Sequence, residues 1–249
     1  MIEKSLSHTE LPNFITLLEE KFPNCRWLSH LAYYENIVFS LIVAGIICLA
    51  VFEVTRKKRG SPGRLQIALE IFVGAVDDFL SGILGPKARS YTPFIGTLFI
   101  YILSMNLFGL IPFMKSATSS WSTTLALALC VFVYVQYAAF KELRFRGYID
   151  HLLGRPRGFL AFSVIFPLMM FFLHILSELV RPISLSLRLR SNIWGDDMLI
   201  AVISGLGLKA VPLLLFSTLL VIIASIVQAG VFCLLTTIYF TLIIEHEES

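Results

Sequence analysis

Near its C-terminal end the chain contains a run of 35 residues, 210–244, without a single charged side chain. A helix rises ~1.5 Å per residue, so this run would be about 50 Å long as a helix, whereas the hydrocarbon layer of a bilayer is ~30 Å thick. A run of this length has to tilt steeply, bend or break if it crosses a membrane.

The composition indicates an integral membrane protein. Apolar residues make up 57% and charged residues 15% of the 249 positions, and the mean hydropathy is +0.80. Four further stretches lack Asp, Glu, Lys and Arg and approach or exceed the ~20 residues that a membrane helix needs: 37–52, 90–114, 116–140 and 158–177. We therefore predict an all-α integral membrane protein, a single membrane domain over 1–249 with five crossings.

Lys and Arg flank these stretches unevenly. Twelve basic residues occupy the two segments that follow the first and third crossings, whereas the loop between the second and third holds only Lys115. Basic loops remain in the cytoplasm. The pattern predicts an outer N-terminal segment, 1–36, and a cytoplasmic C-terminus.

Residues 65–84, between the first two crossings, repeat apolar side chains at helical spacing, with acidic residues interspersed. This pattern is typical of an amphipathic helix that lies on a membrane surface. We predict such a helix on the cytoplasmic side, with an apolar stripe of Leu65, Leu69, Phe72, Val76, Phe79 and Ile83.

The stretch that begins at 158 continues through several ionisable residues to 208. At about 100° per residue, six polar side chains fall within about 80° of one another: His174, Glu178, Arg181, Arg188, Asn192 and Asp196. Ionisable groups at membrane depth persist mainly where they face protein, water or a transported ion. A structural alternative is that Glu178 and Arg181 pair with each other while the rest reach toward the membrane surface.

Two polar residues, Ser225 and Gln228, lie one turn apart within the 35-residue run. An intramembrane glutamine normally finds a hydrogen-bond partner on another helix. A structural and a functional role for this pair both stay open.

Several functional classes lack their motifs. The four cysteines form no CxxC pair and no Cys/His cluster, and no GxxxxGK[ST] loop occurs, so we expect no metal, cofactor or nucleotide site. A net charge of +3 gives no reason to expect nucleic acid as a partner. A secondary transporter and a structural membrane scaffold remain alternatives, but the chain lacks the repeat typical of the former, and the latter leaves the polar stripe unexplained.

Three motifs resemble subunit a of the rotary F-type ATP synthase. They are RPISLSLRL over 181–189, followed by Asn192 and Asp197; SMNLFGLIPF over 104–113; and IVQAGVFCLLTTIYF over 226–240. The resemblance extends over essentially the whole chain. It implies a stator subunit in the inner membrane of a bacterial cell, in contact with lipid, the ring of c subunits, the peripheral stalk of b subunits and, through the complex, the F1 ATPase head.

The same resemblance implies that the last two helices, 158–208 and 210–245, form a long tilted hairpin against the c ring. Arg188 matches the essential arginine of the family, and Gln228 matches the glutamine that faces it. The chain departs from the family pattern by carrying Arg190 and Ser191 after this arginine, an extra acid at Asp196, and Val221 where relatives often carry an ionisable group.

In such a site the guanidinium would attract a rotor carboxylate without relaying a proton, so that protons travel with the ring between two half-channels. The candidate groups for the channel walls are His174, Glu178, Ser184, Asn192, Asp196, Asp197, Ser225 and Gln228. Of the two adjacent acids, we favour Asp197 for the outer half-channel and expect Asp196 to turn toward the rotor or the outer surface.

Overall fold

The computed structural model describes residues 34–56, 63–111, 114, 116–153, 162–207 and 210–248, and every regular element among them is helical. The predicted all-α class is therefore confirmed for the described residues, whereas most of the predicted outer segment, 1–33, lies outside them. The elements are α1 (Glu35–Arg56), α2 (Arg64–Leu84), α3 (Ala88–Phe108), α4 (Trp121–Leu153), α5 (Phe162–Ser204) and α6 (Val211–Glu248), with 3₁₀ helices at Gly85–Lys87 and Ala117–Ser119.

Three helices in the described part of the chain are long and apolar enough to cross a bilayer: Glu35–Val54, Trp121–Lys141 and Val211–Leu242. The charge-free run is a single uninterrupted helix, α6, of 38 residues, and α5 is longer still at 43 residues. At ~1.5 Å per residue these helices measure about 57 and 65 Å. Both exceed the ~30 Å hydrocarbon layer, so neither helix fits within this layer along the bilayer normal.

The predicted amphipathic helix forms as α2 and packs against α3 in the opposite direction. The ring of Phe72 lies 5.4 Å from that of Phe99, and nearer the connection Asp77 accepts a 2.6 Å hydrogen bond from the Thr92 hydroxyl. The short 3₁₀ helix Gly85–Lys87 joins the two helices. The pairing explains why an acid occurs on this apolar face, because Asp77 has a donor on the neighbouring helix.

The buried positions of α2 differ from the predicted stripe. Phe79 is 45% exposed, whereas Leu80 is completely buried. The packed stripe follows the half-buried Phe72 and Val76 and the buried Leu80 and Leu84. Each lies four residues after the last, a spacing that keeps side chains on one side of a helix.

The core lies where α3, α4, α5 and α6 meet. Phe240 of α6 stacks on Tyr91 of α3 at 4.5 Å, and Phe94 of α3 stacks on Tyr134 of α4 at 4.0 Å. Leu185 and Leu189 of α5 are buried beside them. Such close packing is the main source of helix association in a membrane, where lipid tails are as apolar as the side chains.

The turn after α3 brings the backbone very close to the segment before α4. A Cβ atom added at Gly109 would lie 2.6 Å from the Ser116 Cβ and 3.2 Å from its Cα. Hydrogen bonds fix this segment, because Ser116 donates to the Met105 carbonyl and Thr118 donates to the Asn106 side chain. The backbone at this point cannot retreat from an added methyl group without breaking these bonds.

Gly109→Ala is therefore expected to destabilise the protein by about 1–3 kcal/mol, the usual cost of overpacking. Gly45→Ala is the matched control, because a Cβ there meets nothing within 4 Å, and the same change within a helix should gain about 0.5–1 kcal/mol. Thermal unfolding of both purified variants in detergent measures the difference. Equal midpoints would contradict the close approach at Gly109.

Candidate functional site

Helices α5 and α6 lie side by side and run in opposite directions. The guanidinium carbon of Arg181 lies 5.0 Å from the centre of the Tyr239 ring, and the Asn192 side chain donates a 2.6 Å hydrogen bond to Oε1 of Gln228. The two contacts are separated by eleven residues in both helices. The same register therefore holds over three turns, and the predicted partner of Gln228 on the neighbouring helix is Asn192.

Arg188 lies one turn before Asn192, on the exposed side of α5. Within the described part of the chain its guanidinium makes no hydrogen bond and no ion pair. Counted at about 100° per residue, Arg188 is rotated −40° from Asn192 and Val227 is rotated −100° from Gln228. Because the two helices are antiparallel, rotations with the same sign lead to the same side of the pair. Arg188 and Val227 therefore lie on one side.

This side, which we call the open face, is otherwise largely apolar. The exposed apolar residues of this side are Leu187 of α5 and Ile223 and Val227 of α6, and the exposed Ser184 and Ser191 of α5 lie beside them. Arg188 is thus a permanent charge on an apolar surface, an arrangement that is costly in a membrane unless a partner or water reaches it.

The opposite side of α5 faces α4, and here polar groups are paired. Gln136 donates a 2.8 Å hydrogen bond to the Glu178 carboxylate, and Ser186 donates to Thr124 at 3.2 Å. Glu178 and Arg181 have separate partners, and no ion pair joins these two described side chains. The predicted single polar stripe therefore comprises two environments, one paired with α4 and one on the open face.

The remaining predicted residues lie at other positions of α5 and α6. Asp196 and Asp197 are both half-buried; Asp196 continues the buried stripe of Leu189 and Ile193, and Asp197 has an interaction partner. Ser225 is buried in α6, and Ser184 is exposed on α5. The backbone of His174 is helical, but its side chain lies outside the described residues.

A cavity of about 440 Å³ opens beside the Arg181–Tyr239 contact. Its wall combines apolar side chains with hydroxyl groups and one guanidinium. Ser184 contributes to this wall and stands one helical turn before Arg188. The lining residues are Leu173, Leu176, Ser177, Val180, Arg181, Ser184 and Tyr239. The cavity is wide enough for water and reaches toward the open face.

Sequence reasoning missed two residues of this site. Gln136 is the only amide side chain in the stretch 116–140, and the argument that predicts a partner for Gln228 predicts one for Gln136 as well. Tyr239 stands eleven residues after Gln228, which is three helical turns, so it could have been placed on the same side of α6. No cluster of His, Cys, Asp or Glu that could hold a metal ion occurs among the described residues.

Comparison with known proteins gives a consistent result. A family model described as ATP synthase A chain matches residues 37–241. The protein named ATP synthase subunit a of Protochlamydia amoebophila is 40% identical over 247 residues, which covers 96% of this chain and 90% of that protein. Proteins of the same name from Moorella thermoacetica and Aliarcobacter butzleri are 36% identical over 214 residues and 39% identical over 211 residues. These two alignments cover 85% and 84% of this chain, and 91% and 89% of the relatives.

The Asn192–Gln228 hydrogen bond should contribute measurably to helix association. A double-mutant cycle of Asn192→Leu and Gln228→Leu is expected to give a coupling free energy of about 0.6–1.7 kcal/mol, the range for such bonds in membranes. Unfolding in increasing SDS measures it. Thr236→Val is the matched control, because the Thr236 hydroxyl donates to the Phe232 carbonyl of its own helix. The changes in unfolding free energy of Thr236→Val and Asn192→Leu should therefore add within ~0.3–0.5 kcal/mol. A cycle without coupling would mean that the bond does not form.

Proposed function

The chain belongs to the ATP synthase A chain family and is therefore a proton-channel component of the membrane sector rather than a catalytic subunit, and we propose that Arg188 is the residue that couples proton flow to rotation. The isolation of its guanidinium on the open face carries this proposal. A charge that has no hydrogen bond or ion pair within the described part of the chain requires an external partner, and a carboxylate on an apolar rotor surface has the matching charge and solubility.

Arg188 holds the approaching rotor carboxylate in its ionised form, because an opposite charge within a poorly hydrated site favours ionisation. The guanidinium does not give up its own proton. Protons therefore cannot pass through the arginine from one side of the membrane to the other. Each proton instead binds a rotor acid on one side of Arg188 and leaves on the other, so that net flow requires rotation.

The cavity beside Arg181 and Tyr239 supports an inner half-channel. In the proposed orientation the C-terminal end of α6 is cytoplasmic, and Tyr239 lies toward that end. Ser184, Glu178 and His174 belong to this side of Arg188. Hydroxyl groups and a fixed charge on the wall hold water, which proton transfer requires.

The outer half-channel lies on the other side of Arg188, toward the α5–α6 connection. Its candidate residues are Asn192, Asp196, Asp197, Ser225 and Gln228. The potential difference supplies ~2.3 kcal/mol per elementary charge for every 100 mV. Two channels that end on opposite sides of one fixed cation convert this energy into rotation in one direction.

The proposed arrangement in the membrane has five crossings, an outer N-terminus and a cytoplasmic C-terminus, with α2 at the cytoplasmic surface. The α5–α6 pair forms a tilted hairpin whose open face meets the ring of c subunits, and the lengths of both helices support this tilt. The chain assembles with the b-subunit stalk and, through the complex, with the F1 head, in the inner membrane of a bacterial cell.

Arg188→Gln is expected to abolish proton-driven ATP synthesis in a complex that still assembles, because a neutral amide cannot keep the rotor acid ionised. Arg190→Gln is the matched control: this second arginine is half-buried and lies over the Trp121 ring at 5.5 Å, away from the open face, so coupling should survive. Reconstituted complexes under an imposed proton gradient provide the measurement. Synthesis near the parent rate in the Arg188 variant would exclude this role.

Arg188→Lys should fail as well, although it keeps a cation. Lysine lacks the planar fork of the guanidinium and can release its proton in a poorly hydrated site. We expect loss of synthesis together with a passive proton leak, measured by a pH-sensitive dye trapped in the vesicles. Full coupling in this variant would show that charge alone suffices.

Ser184→Leu tests the inner half-channel. The change removes a hydroxyl group and fills part of the cavity with apolar volume, so ATP-driven proton pumping should slow severalfold while assembly is unchanged. Ser204→Leu serves as the control, because Ser204 is an exposed residue at the far end of α5 whose hydroxyl donates to the Ala201 carbonyl. Equal pumping rates in the two variants would remove the cavity from the proton route.

A further inference from the structure

Arg190 is a second unpaired cation of α5, on the side of this helix that is turned away from Arg188. Two residues rotate a helix by about 200°, so the two guanidinium groups leave α5 in nearly opposite directions. Arg190 forms no hydrogen bond or ion pair with another described residue, and its buried Nε lacks a partner. A guanidinium stays protonated, so this half-buried side chain carries a charge that the described part of the chain does not neutralise.

The contact that Arg190 does make is with an aromatic ring. Its guanidinium carbon lies 5.5 Å from the centre of the Trp121 ring, within the range of a cation–π interaction. The ring attracts the cation but carries no negative charge. The N–H donors of the guanidinium therefore still lack an oxygen acceptor among the described residues.

This contact lies at one end of a membrane span. Trp121 is the first residue of α4 and of the candidate span Trp121–Lys141. Trp194 follows Arg190 by one turn of α5 and is rotated from it by only about 40°. Both tryptophans are exposed, and tryptophan is enriched at the level of the lipid head groups. Arg190 therefore stands at the boundary between hydrocarbon and head groups, on the outer side in the proposed orientation.

The electrostatics at this boundary favour an anion. The N-terminus of α4 carries a partial positive charge, and Arg190 adds a full one beside it. Asp197 lies two turns further along α5, rotated by about −20° from Arg190. It forms no ion pair with Arg190 and has an interaction of its own. The two positive groups at the start of α4 are stabilised together only if a negative group joins them.

An apolar strip extends from Arg190 toward the membrane interior. Helices α4 and α5 are antiparallel, because Gln136 pairs with Glu178 and Thr124 pairs with Ser186. The residues of α5 that precede Arg190 are therefore deeper in the span. Among them, Ile183 and Leu179 are exposed and are rotated by about +20° and −20° from Arg190. A cation at the boundary thus continues into an apolar surface below it.

We propose that Arg190, Trp121 and Trp194 bind the phosphate of an anionic phospholipid, with an acyl chain along Ile183 and Leu179. Phosphate oxygens accept two parallel hydrogen bonds from a guanidinium. The indole N–H groups of the two tryptophans have no hydrogen bond to another described residue and are further donors. A free phosphate ion offers the same oxygens, but the apolar strip favours a lipid.

The site goes beyond the proposed function, because it lies on another side of α5 than the open face and takes a different ligand. A lipid held there occupies the angle between α4 and α5, beside the turn of α5 that carries Arg188. The lipid would contribute to the anchoring of α5, whereas the charge that meets the rotor remains that of Arg188.

The test is photolabelling of the complete complex in vesicles that contain a trace of phosphatidylglycerol with a diazirine on its acyl chain. A phosphatidylcholine probe with the same chain measures general exposure to lipid. Mass spectrometry of segment 179–194 should show severalfold more label from phosphatidylglycerol, because its head group has a net negative charge. Arg190→Gln should abolish this preference and Arg190→Lys should keep part of it. Arg89→Gln is the matched control, because this exposed arginine lies at the start of α3, the other end of the helix bundle.

Equal labelling by the two probes in the parent complex would overturn the proposal, as would a preference that persists in Arg190→Gln. Added inorganic phosphate distinguishes the two sources of the phosphate group, since loss of the preference would assign the site to the free ion. Absence of label from both probes would mean that another subunit covers Arg190, which also excludes the lipid. The labelling ratio does not depend on ATP synthesis, so its failure leaves the role proposed for Arg188 unaffected.

Discussion

Hydrocarbon offers no hydrogen bonds, so each polar group of a membrane helix has to find a partner in the protein, in water or in a bound group. In α6 the threonine hydroxyls find it in their own backbone. In α5 the Glu178 carboxylate finds it in Gln136 of α4. Arg188 is exposed and has no hydrogen bond or ion pair to another described residue, and its side of α5 is where we place the rotor.

The two sides of α5 accordingly differ in purpose. The side toward α4 carries paired groups, Ser186 with Thr124 and Glu178 with Gln136, and these hold the helix in a fixed rotation. That rotation directs Arg188 to the open face. On the open face Arg188 has no hydrogen bond or ion pair to another described residue, so its charge is available to a group outside this chain.

The sequence was informative where a single helix decides the outcome. The charge-free run 210–244 predicts α6, although the helix continues to Glu248 because charged residues end a membrane span without ending a helix. The periodicity of 65–84 predicts α2 as well. What a helical wheel cannot supply is the identity of the neighbours. It grouped Glu178, Arg181 and Arg188 by angle. Gln136 of α4 pairs with Glu178 and Tyr239 of α6 contacts Arg181, and both belong to helices that are distant in the sequence.

The eleven-residue spacing explains how one polar seam can extend through so long a helix pair. Eleven residues make three whole turns plus only about 20°. Ser217, Gln228 and Tyr239 therefore face α5 together, as Arg181 and Asn192 face α6. A heptad spacing falls about 20° short of two turns and winds a helix pair to the left, whereas an eleven-residue spacing winds it to the right. The drift per residue is smaller with the eleven-residue spacing, so a weak supercoil is enough to keep the pair in contact over about 33 Å between Ser217 and Tyr239. The polar levels of the seam therefore stay between the same two helices along its whole length.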